Sequence, residues 1–330
     1  MSIVREIPSL QTTILKSIAK QPNLYITEKS FRRSQYLIPV HMRHDILQTL
    51  VDYLIEAGRM TDDVIPISFY QCDRLSLSLQ NSKVSGKYIE KLVHQCQNFT
   101  NLNLSGCFQV TDVIVERILS TCSQLHSLDV RNCRKLTDDS LKFIVEKGIR
   151  LTSINIGGNF NISLDGIRFF VSNHPNITAF REIHISGLPV SDDILGIISS
   201  RCKNVECFSL AFSNTSEESL RRLLTNIGQT IKSLSIAWVN ASGLAEGDLD
   251  TSFLDFLARC CPRLQVLDIS GNKNISISSI QQLLDFKLCQ SEADPETWKP
   301  IMNLKAKFMG GSKLQIEQLS ASHPYARIES

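Results

Sequence analysis

Apolar residues recur along this chain in two alternating rhythms. From Phe99 the sequence reads Phe99-x2-Leu102-x-Leu104-x2-Cys107-x2-Val110-Thr111-Asp112-x2-Val115-x2-Ile118-x3-Cys122-x2-Leu125. It then begins again: Leu125-x2-Leu128-x-Val130-x2-Cys133-x2-Leu136-Thr137-Asp138-x2-Leu141-x2-Ile144. The Leu-x-Leu part has period two and predicts a short strand. The Val115/Ile118 and Leu141/Ile144 parts have helical spacing.

Cys107 to Cys133, Cys96 to Cys122 and Leu102 to Leu128 are each 26 residues apart. A fixed period in this range, carried by an L-x2-L-x-L-x2-N/C skeleton, is the signature of leucine-rich repeats. An earlier unit has Leu77-x-Leu79, Val84-Ser85, Ile89, Leu92 and Cys96. Later units follow at Ile154, Ile183, Phe208, Leu234 and Leu267, with spacings from Leu102 onward of 26, 26, 29, 25, 26 and 33. The last interval is lengthened by a loop-like insertion at 240–250 that carries two glycines. The fold class this implies is an α/β leucine-rich-repeat solenoid. A curved parallel sheet lines its concave side and helices cover its convex side. One repeat cannot bury both its faces, so neighbours must stack.

Residues 1–55 do not follow the repeat. Leu10, Ile14, Leu15 and Ile18 have helical spacing, and Pro22 through Pro39 reads as a connector. Pro39 sits where a second helix can start, and Ile46, Leu47, Leu50, Val51 and Leu54 give that helix one apolar face. The chain therefore divides into a helical N-terminal region (1–55), a repeat array (56–284) and a C-terminal cap with a mobile tail (285–330). In this reading the repeat pattern stops after Leu284, and Ser320 to Ser330 is the mobile end.

Composition narrows the class. The chain has 330 residues, with 42% hydrophobic, 21% charged and a net charge of +2. It lacks the basic bias of a nucleic-acid binder and any apolar run long enough to cross a membrane. The N-terminus has no signal-peptide apolar core. A cytosolic or nuclear protein, monomeric outside its complexes, is expected, with its 10 cysteines reduced. Six Asn-x-Ser/Thr matches then read as by-products of Asn- and Ser-rich loops.

No catalytic, cofactor or metal site is expected. Cys260-Cys261 and Cys202-x4-Cys207 lack the matched Cys-x2-Cys pairs of zinc sites. Cys107 and Cys133 keep the repeat's period, so packing accounts for them. Thr111-Asp112, Thr137-Asp138 and Ser191-Asp192 read as helix N-caps. Of the seven His, only His184 falls on a concave position, without a nucleophile to partner it. No phosphate-cradling glycine loop occurs.

The residues between the strand leucines point away from the core. That row is Asn103, Asp129, Asn155, His184, Ser209, Ser235 and Asp268. Phe108, Arg131, Arg134, Phe160, Phe212 and Trp238 lie just past the strands, and aromatic and Arg residues on an open face are the usual anchors of a protein interface. The candidate partner-binding set is Asn103, Asp129, Arg131, Asn155, His184, Trp238 and Asp268. Loop packing is the alternative for each aromatic.

Cys after the strand, Thr-Asp before the helix and Cys at the helix end resemble the cysteine-containing repeats of F-box/leucine-rich-repeat proteins and of the antagonist-of-mitotic-exit family. The resemblance covers roughly residues 60–284. Asn159 and Asn272 stand at the Cys107 position, and Leu188 and Ser213 depart further. Upstream, Ser9-Leu10-x3-Ile14-Leu15-x2-Ile18 is similar to an elongin-binding box, with Ile14 where the family has Cys. Ile38-Pro39-x6-Ile46-Leu47 resembles the cullin-facing element of Zyg-eleven-type substrate receptors.

That resemblance implies a non-catalytic substrate-recognition subunit of a cullin-RING ubiquitin ligase, SCF-like or elongin-BC-linked, acting in ubiquitin-dependent protein catabolism. Leu10, Ile14, Pro39 and Leu47 would meet the elongin-BC or Skp-type adaptor and the cullin. A scaffold or regulator without a ligase link, whose N-terminal helices only cap the array, is the alternative.

Overall fold

The computed structural model describes residues 10–20, 44–64, 76–239, 249, 251–307 and 313–329. The chain forms two compact units, 1–136 and 137–330. Leu10 lies in the first helix but its side chain falls outside the described set, as do Pro39 and the insertion at 240–248.

The first unit opens with two helices packed on one another, α1 (Leu10–Lys20) and α2 (His44–Glu56). Three strands follow, β1 (Ser76–Ser78), β2 (Asn101–Asn103) and β3 (Ser127–Asp129), separated by α3 (Gly86–Gln95) and α4 (Asp112–Thr121). The strands are parallel, with Leu77, Leu102 and Leu128 in register. An edge strand leaves backbone groups unpaired. Here α2 meets them: Gln48 Nε2 donates to the Ser78 carbonyl at 3.1 Å, and Gln48 Oε1 accepts from Ser78 N–H at 3.2 Å. The N-terminal helices thus cap this end of the sheet.

The second unit alternates helix and strand throughout: α5 (Asp138–Lys147), β4 (Ser153–Asn155), α6 (Leu164–Asn173), β5 (Glu182–His184), α7 (Asp192–Arg201), β6 (Cys207–Ser209), α8 (Glu217–Ile227) and β7 (Ser233–Ser235). It continues with α9 (Thr251–Cys260), β8 (Val266–Asp268), α10 (Ile277–Ala293), β9 (Asn303–Lys305), α11 (Lys313–Ser322) and β10 (Arg327–Glu329). All its strand pairs are parallel, with Ile154, Ile183, Phe208, Leu234, Leu267, Leu304 and Ile328 in one row. Every member of that row but Ile328 is buried, and burying each contributes roughly 1.5–3 kcal/mol. These are leucine-rich repeats, an α/β fold of parallel strands backed by helices.

Two expectations change. The repeats do not stop at Leu284: α10 runs on to Ala293, and Leu304 takes the place of Leu267 one strand further. The 37-residue spacing from Leu267 to Leu304 hid the period. The expected mobile end instead supplies the end of α11 and the strand β10. His323 secures it, buried, with Nε2 2.9 Å from Asp285 Oδ1 on α10.

Thr111, Thr137 and Ser191 stand at the helix N-caps as expected, and Thr137 Oγ1 accepts from Asp139 N–H at 3.3 Å. Thr111 and Ser191 make no side-chain capping bond. The Asp after the cap reaches into the next repeat. Asp138 accepts from Ser163 N–H at 2.7 Å and Ser163 Oγ at 2.6 Å, and Asp192 does the same with Ser216 at 2.8 and 2.7 Å. Each Ser Oγ in turn accepts from its own helix, from Gly166 N–H or Ser219 N–H. An anion at a helix N-terminus is favoured, and here it also ties one repeat to the next.

The post-strand Cys does comparable work. Cys107 Sγ donates to the Leu79 carbonyl of the preceding repeat at 3.0 Å, and Cys133 Sγ to that of Leu104 at 3.2 Å. Asn272, at the same position, reaches the Ile236 carbonyl at 3.0 Å.

Gly166 gives a test. A Cβ there would lie 2.1 Å from Asp138 Oδ1 and 3.0 Å from Asp138 Cβ. Gly→Ala inside a helix ordinarily stabilises by about 1 kcal/mol. Gly166→Ala is expected to destabilise instead, by about 1 kcal/mol as the bonds to Ser163 are lost. In the Asp138→Ala background, which removes the carboxylate and keeps only the Cβ at 3.0 Å, most of that penalty should disappear, read by urea denaturation as a double-mutant cycle.

Candidate functional site

On the sheet face away from the helices, most of the polar row satisfies its own backbone. Asn103 Oδ1 accepts from Ser105 N–H at 2.9 Å, and Asp129 Oδ1 from Arg131 N–H at 3.1 Å. In the second unit, Asn155 Oδ1 accepts from Gly157 N–H at 3.2 Å and Asp268 Oδ1 from Ser270 N–H at 3.1 Å. These are Asx turns, which start the bend off the strand. Arg131 is exposed and lies 3.6 Å from Asp129 Oδ2. His184 is half-buried on the same row.

The bend itself has a fixed geometry. Three residues past the row, the backbone enters the left-handed region in every fully described turn. In the first unit these residues are Asn81, Gly106 and Asn132; in the second they are Gly158, Gly187, Phe212, Trp238 and Gly271. Gly and Asn tolerate this conformation, but bulky side chains do so at a cost of roughly 1–2 kcal/mol each. Phe212 (φ +60°) and Trp238 (φ +56°) sit there nonetheless.

Their backbones have no freedom to relax. Phe212 N–H donates to the Ala237 carbonyl at 2.9 Å, and Trp238 N–H to the Ser270 carbonyl at 2.8 Å, so the inter-strand ladder continues through the strained residues. Strain of this sort marks functional positions when the surroundings enforce it.

The two rings are stacked, with centroids 6.1 Å apart and planes 7° from parallel. Trp238 is half-buried and rests on Gly271, where a Cβ would come within 2.2 Å of the indole. Phe212 remains 62% exposed, and Phe160, two residues past the left-handed Gly158, 73% exposed. Phe108 in the first unit is also exposed, with the Arg134 guanidinium 5.9 Å from its ring centre. Phe108, Phe160 and Phe212 therefore do not fold under as loop packing. The sequence pattern pointed to all of these aromatics but did not single out Phe212, because the left-handed turn is visible only once the repeats are aligned on their strands.

The strand exits that carry this ridge are uncharged on the N-terminal side of Trp238, and Asp268 lies on the other side. Residues 153–162, 183–191, 207–216 and 233–239, which form strands β4, β6 and β7, the last two residues of β5 and the four exits, contain no Asp, Glu, Lys or Arg; Glu182 at the start of β5 is charged. Charged side chains flank them, as in the Arg181–Glu206–Lys232 chain at the strand entrances, with both contacts at 2.6 Å.

At the N-terminus, α1 has two faces. Leu15, Ile18 and Ala19 are buried, whereas Ile14 is 49% exposed. Leu47 is 1% exposed, inside the protein's own core, because it lies on the α2 face that covers the first repeat.

Other chemical-looking groups have structural roles. Burial pushes the Cys122 and Cys202 thiols up to about 11 and Cys133 to about 12, so they stay protonated and unreactive. Among the described residues, no cluster of His, Cys, Asp and Glu is arranged to hold a metal. Ser322 Oγ lies 3.0 Å from His323 Nδ1, and His323 faces Asp285, but Ser322 donates to the Leu319 carbonyl at 3.0 Å. That arrangement is a helix end. No described helix is long and apolar enough to cross a membrane.

Lys287 is fully buried. It donates to the Cys261 carbonyl at 2.8 Å and the Pro262 carbonyl at 2.5 Å, with its ammonium 5.2 Å from the Trp298 ring centre. It therefore ties off the end of α9. Desolvation lowers its pKa to about 8.

No family model matches the chain, and no curated protein is significantly similar to it. Similar solved structures include the crystal structure of a Rad7 and Elc1 complex in yeast, with 15% identity, 91% of this chain and 93% of that chain covered, and a TM-score of 0.43. Another is the leucine-rich repeat-containing protein LegL7 from Legionella pneumophila, with 18% identity, 77% and 82% covered, and a TM-score of 0.42. Neither likeness is high enough to bear on function.

Two outcomes follow. Phe212→Gly relieves the left-handed strain but loses the stack on Trp238, worth about 0.5–1.5 kcal/mol. The melting temperature should therefore stay within about 4 °C of the wild type, whereas an ordinary core Phe would cost about 3–5 kcal/mol. For Lys287, the unfolded chain holds a proton between pH 8 and 10.5 that the native protein has released. Lys287 should therefore contribute stability that grows with pH across that window, at up to about 1.4 kcal/mol per unit, read as the difference between wild type and Lys287→Met because the buried thiols contribute with the opposite sign above about pH 9. Lys287→Met should lack this contribution in urea titrations at successive pH values.

Proposed function

We propose that the protein is a non-catalytic recognition module that binds another protein through the strand-exit edge and sheet face of its second unit. The observation that carries this reading is the Phe212–Trp238 stack. Two aromatics occupy left-handed turns where neighbouring repeats use glycine, and one of them stands exposed at 62%. A fold gains nothing by paying for that strain and leaving the ring in water, but a binding surface does. Asn155, His184 and Asp268 would supply polar contacts beside Trp238, and Asn103, Asp129 and Arg131 would do so on the first unit.

The finer proposal is a substrate receptor of a cullin-RING ubiquitin ligase. It is supported by the outward face of α1, where Ile14 stands exposed while Leu15, Ile18 and Ala19 hold the helix down. Ile14, with Leu10 on the same helix and Pro39 upstream of α2, would meet an elongin-BC or Skp-type adaptor. The ligase then gains proximity of target and ubiquitin donor, with no chemistry from this chain. The second reading, a scaffold whose helices only cap the array, is favoured by burial of Leu47 and by the Gln48 bonds to β1.

Copurification separates the two readings. An adaptor and a cullin should come down with the wild type. Ile14→Asp should reduce them by about tenfold or more while the melting temperature holds, since one charge in an apolar pocket costs at least 1.4 kcal/mol. If the wild type brings down no elongin, Skp-type adaptor or cullin, the ligase reading is lost. Leu47→Asp is unsuitable as the test, because it would unfold the cap.

A further inference from the structure

The aromatic ridge ends on an open step. Trp238 covers Gly271, and Phe212 stacks on Trp238. The next turn towards the N-terminus is Gly187, and there the column stops: a Cβ on Gly187 would meet only the Gly158 backbone, at 3.7 Å, with no side chain within 4 Å. The Gly157–Gly158 turn continues this bare floor, and a Cβ on Gly157 would meet the Ser186 carbonyl at 2.9 Å. Phe160 stands exposed two residues beyond Gly158. Neighbouring parallel strands lie about 4.8 Å apart, so the two-repeat interval from Gly158 to Phe212 has room for one more planar ring.

We propose that this step takes an aromatic side chain from an uncharged, extended segment of the partner protein, stacked on Phe212 over Gly187. The inference rests on the protein-binding reading above and names the partner's chemistry. A third ring continues a column whose first two planes are already parallel.

The surroundings set the rest of the segment. No charged residue occurs in 153–162, 183–191, 207–216 or 233–239, so a Lys, Arg, Asp or Glu next to the inserted ring would lose water without gaining a counter-ion. Asn155, His184, Ser209 and Ser235 along the strands make the floor beside the step polar but uncharged. An acidic or basic tail, or a phosphorylated one, does not match this belt.

The test uses the full chain and a capped, uncharged peptide, Gly-Ser-Ala-X-Ala-Ser-Gly, with 4-fluorophenylalanine at X and its fluorine resonance observed. The resonance should broaden and shift saturably. Unlabelled peptide with Phe at X should displace it about tenfold better than peptide with Ala, and replacing the two flanking Ala by Lys or by Asp should weaken displacement. Phe212→Gly, which keeps the fold, should abolish the effect. Equal displacement by the Phe and Ala peptides, undiminished binding of the charged versions, no saturable effect in the wild type, or persistence in Phe212→Gly would each overturn the proposal.

Copurification with Phe212→Gly distinguishes this failure from that of the broader reading. A variant that loses the cellular partner while no peptide binds the wild type sinks ring insertion alone. A variant that keeps the partner sinks recognition at this edge as well.

Discussion

Everything in this protein follows from the requirement that each strand hand its backbone hydrogen bonds to the next repeat. A three-residue strand cannot stand alone, and its leucine has one apolar face to hide. Stacking solves both problems, but it forces the chain to leave each strand the same way. The Asx turn, the left-handed residue and the small or polar plug behind it are three parts of that one exit. Their N–H groups keep the lateral ladder running past the strand, so the exit is as rigid as the sheet.

That rigidity decides which polar residues are free to act. Asn103, Asp129, Asn155 and Asp268 lie on the open face, yet each already serves its own turn. Asp138 and Asp192 look like helix caps but bind the next repeat. Cys107 and Cys133 look like chemistry but satisfy a neighbour's carbonyl. Among the described exit-edge aromatics, Phe108, Phe160 and Phe212 nonetheless stand exposed. The strain at Phe212 and Trp238 has meaning because the turns beside them show what the position ordinarily holds.

The two ends of the chain manage the cost of an open sheet in different ways. At the start, Gln48 supplies both a donor and an acceptor to β1. At the end, further strands are added, and a buried His323 pins the last helix to α10. The cost of burying Lys287 belongs to the same problem, since its ammonium satisfies carbonyls that the end of α9 would otherwise leave bare.

The repeat, the strand register and the helix faces could be read from the chain alone, because burial imposes its period directly on residue type. Leu102, Leu128 and Ile154 announce themselves. The same logic failed past Leu284, where a long connection hides the period, so Leu304 and Ile328 were missed. It also failed wherever a residue's partner lies a full repeat away. A bond from Asp192 to Ser216 leaves no local trace, and the outward turn of Ile14 depends on which face of α1 meets α2. The candidate site divides in the same way. Its aromatics are visible in the sequence, but the left-handed backbone that strains Phe212, the stack beneath it and the bare glycine step beside it exist only when the turns are set side by side. Sequence reports what each residue prefers to hide, and only tertiary structure decides what stands next to it.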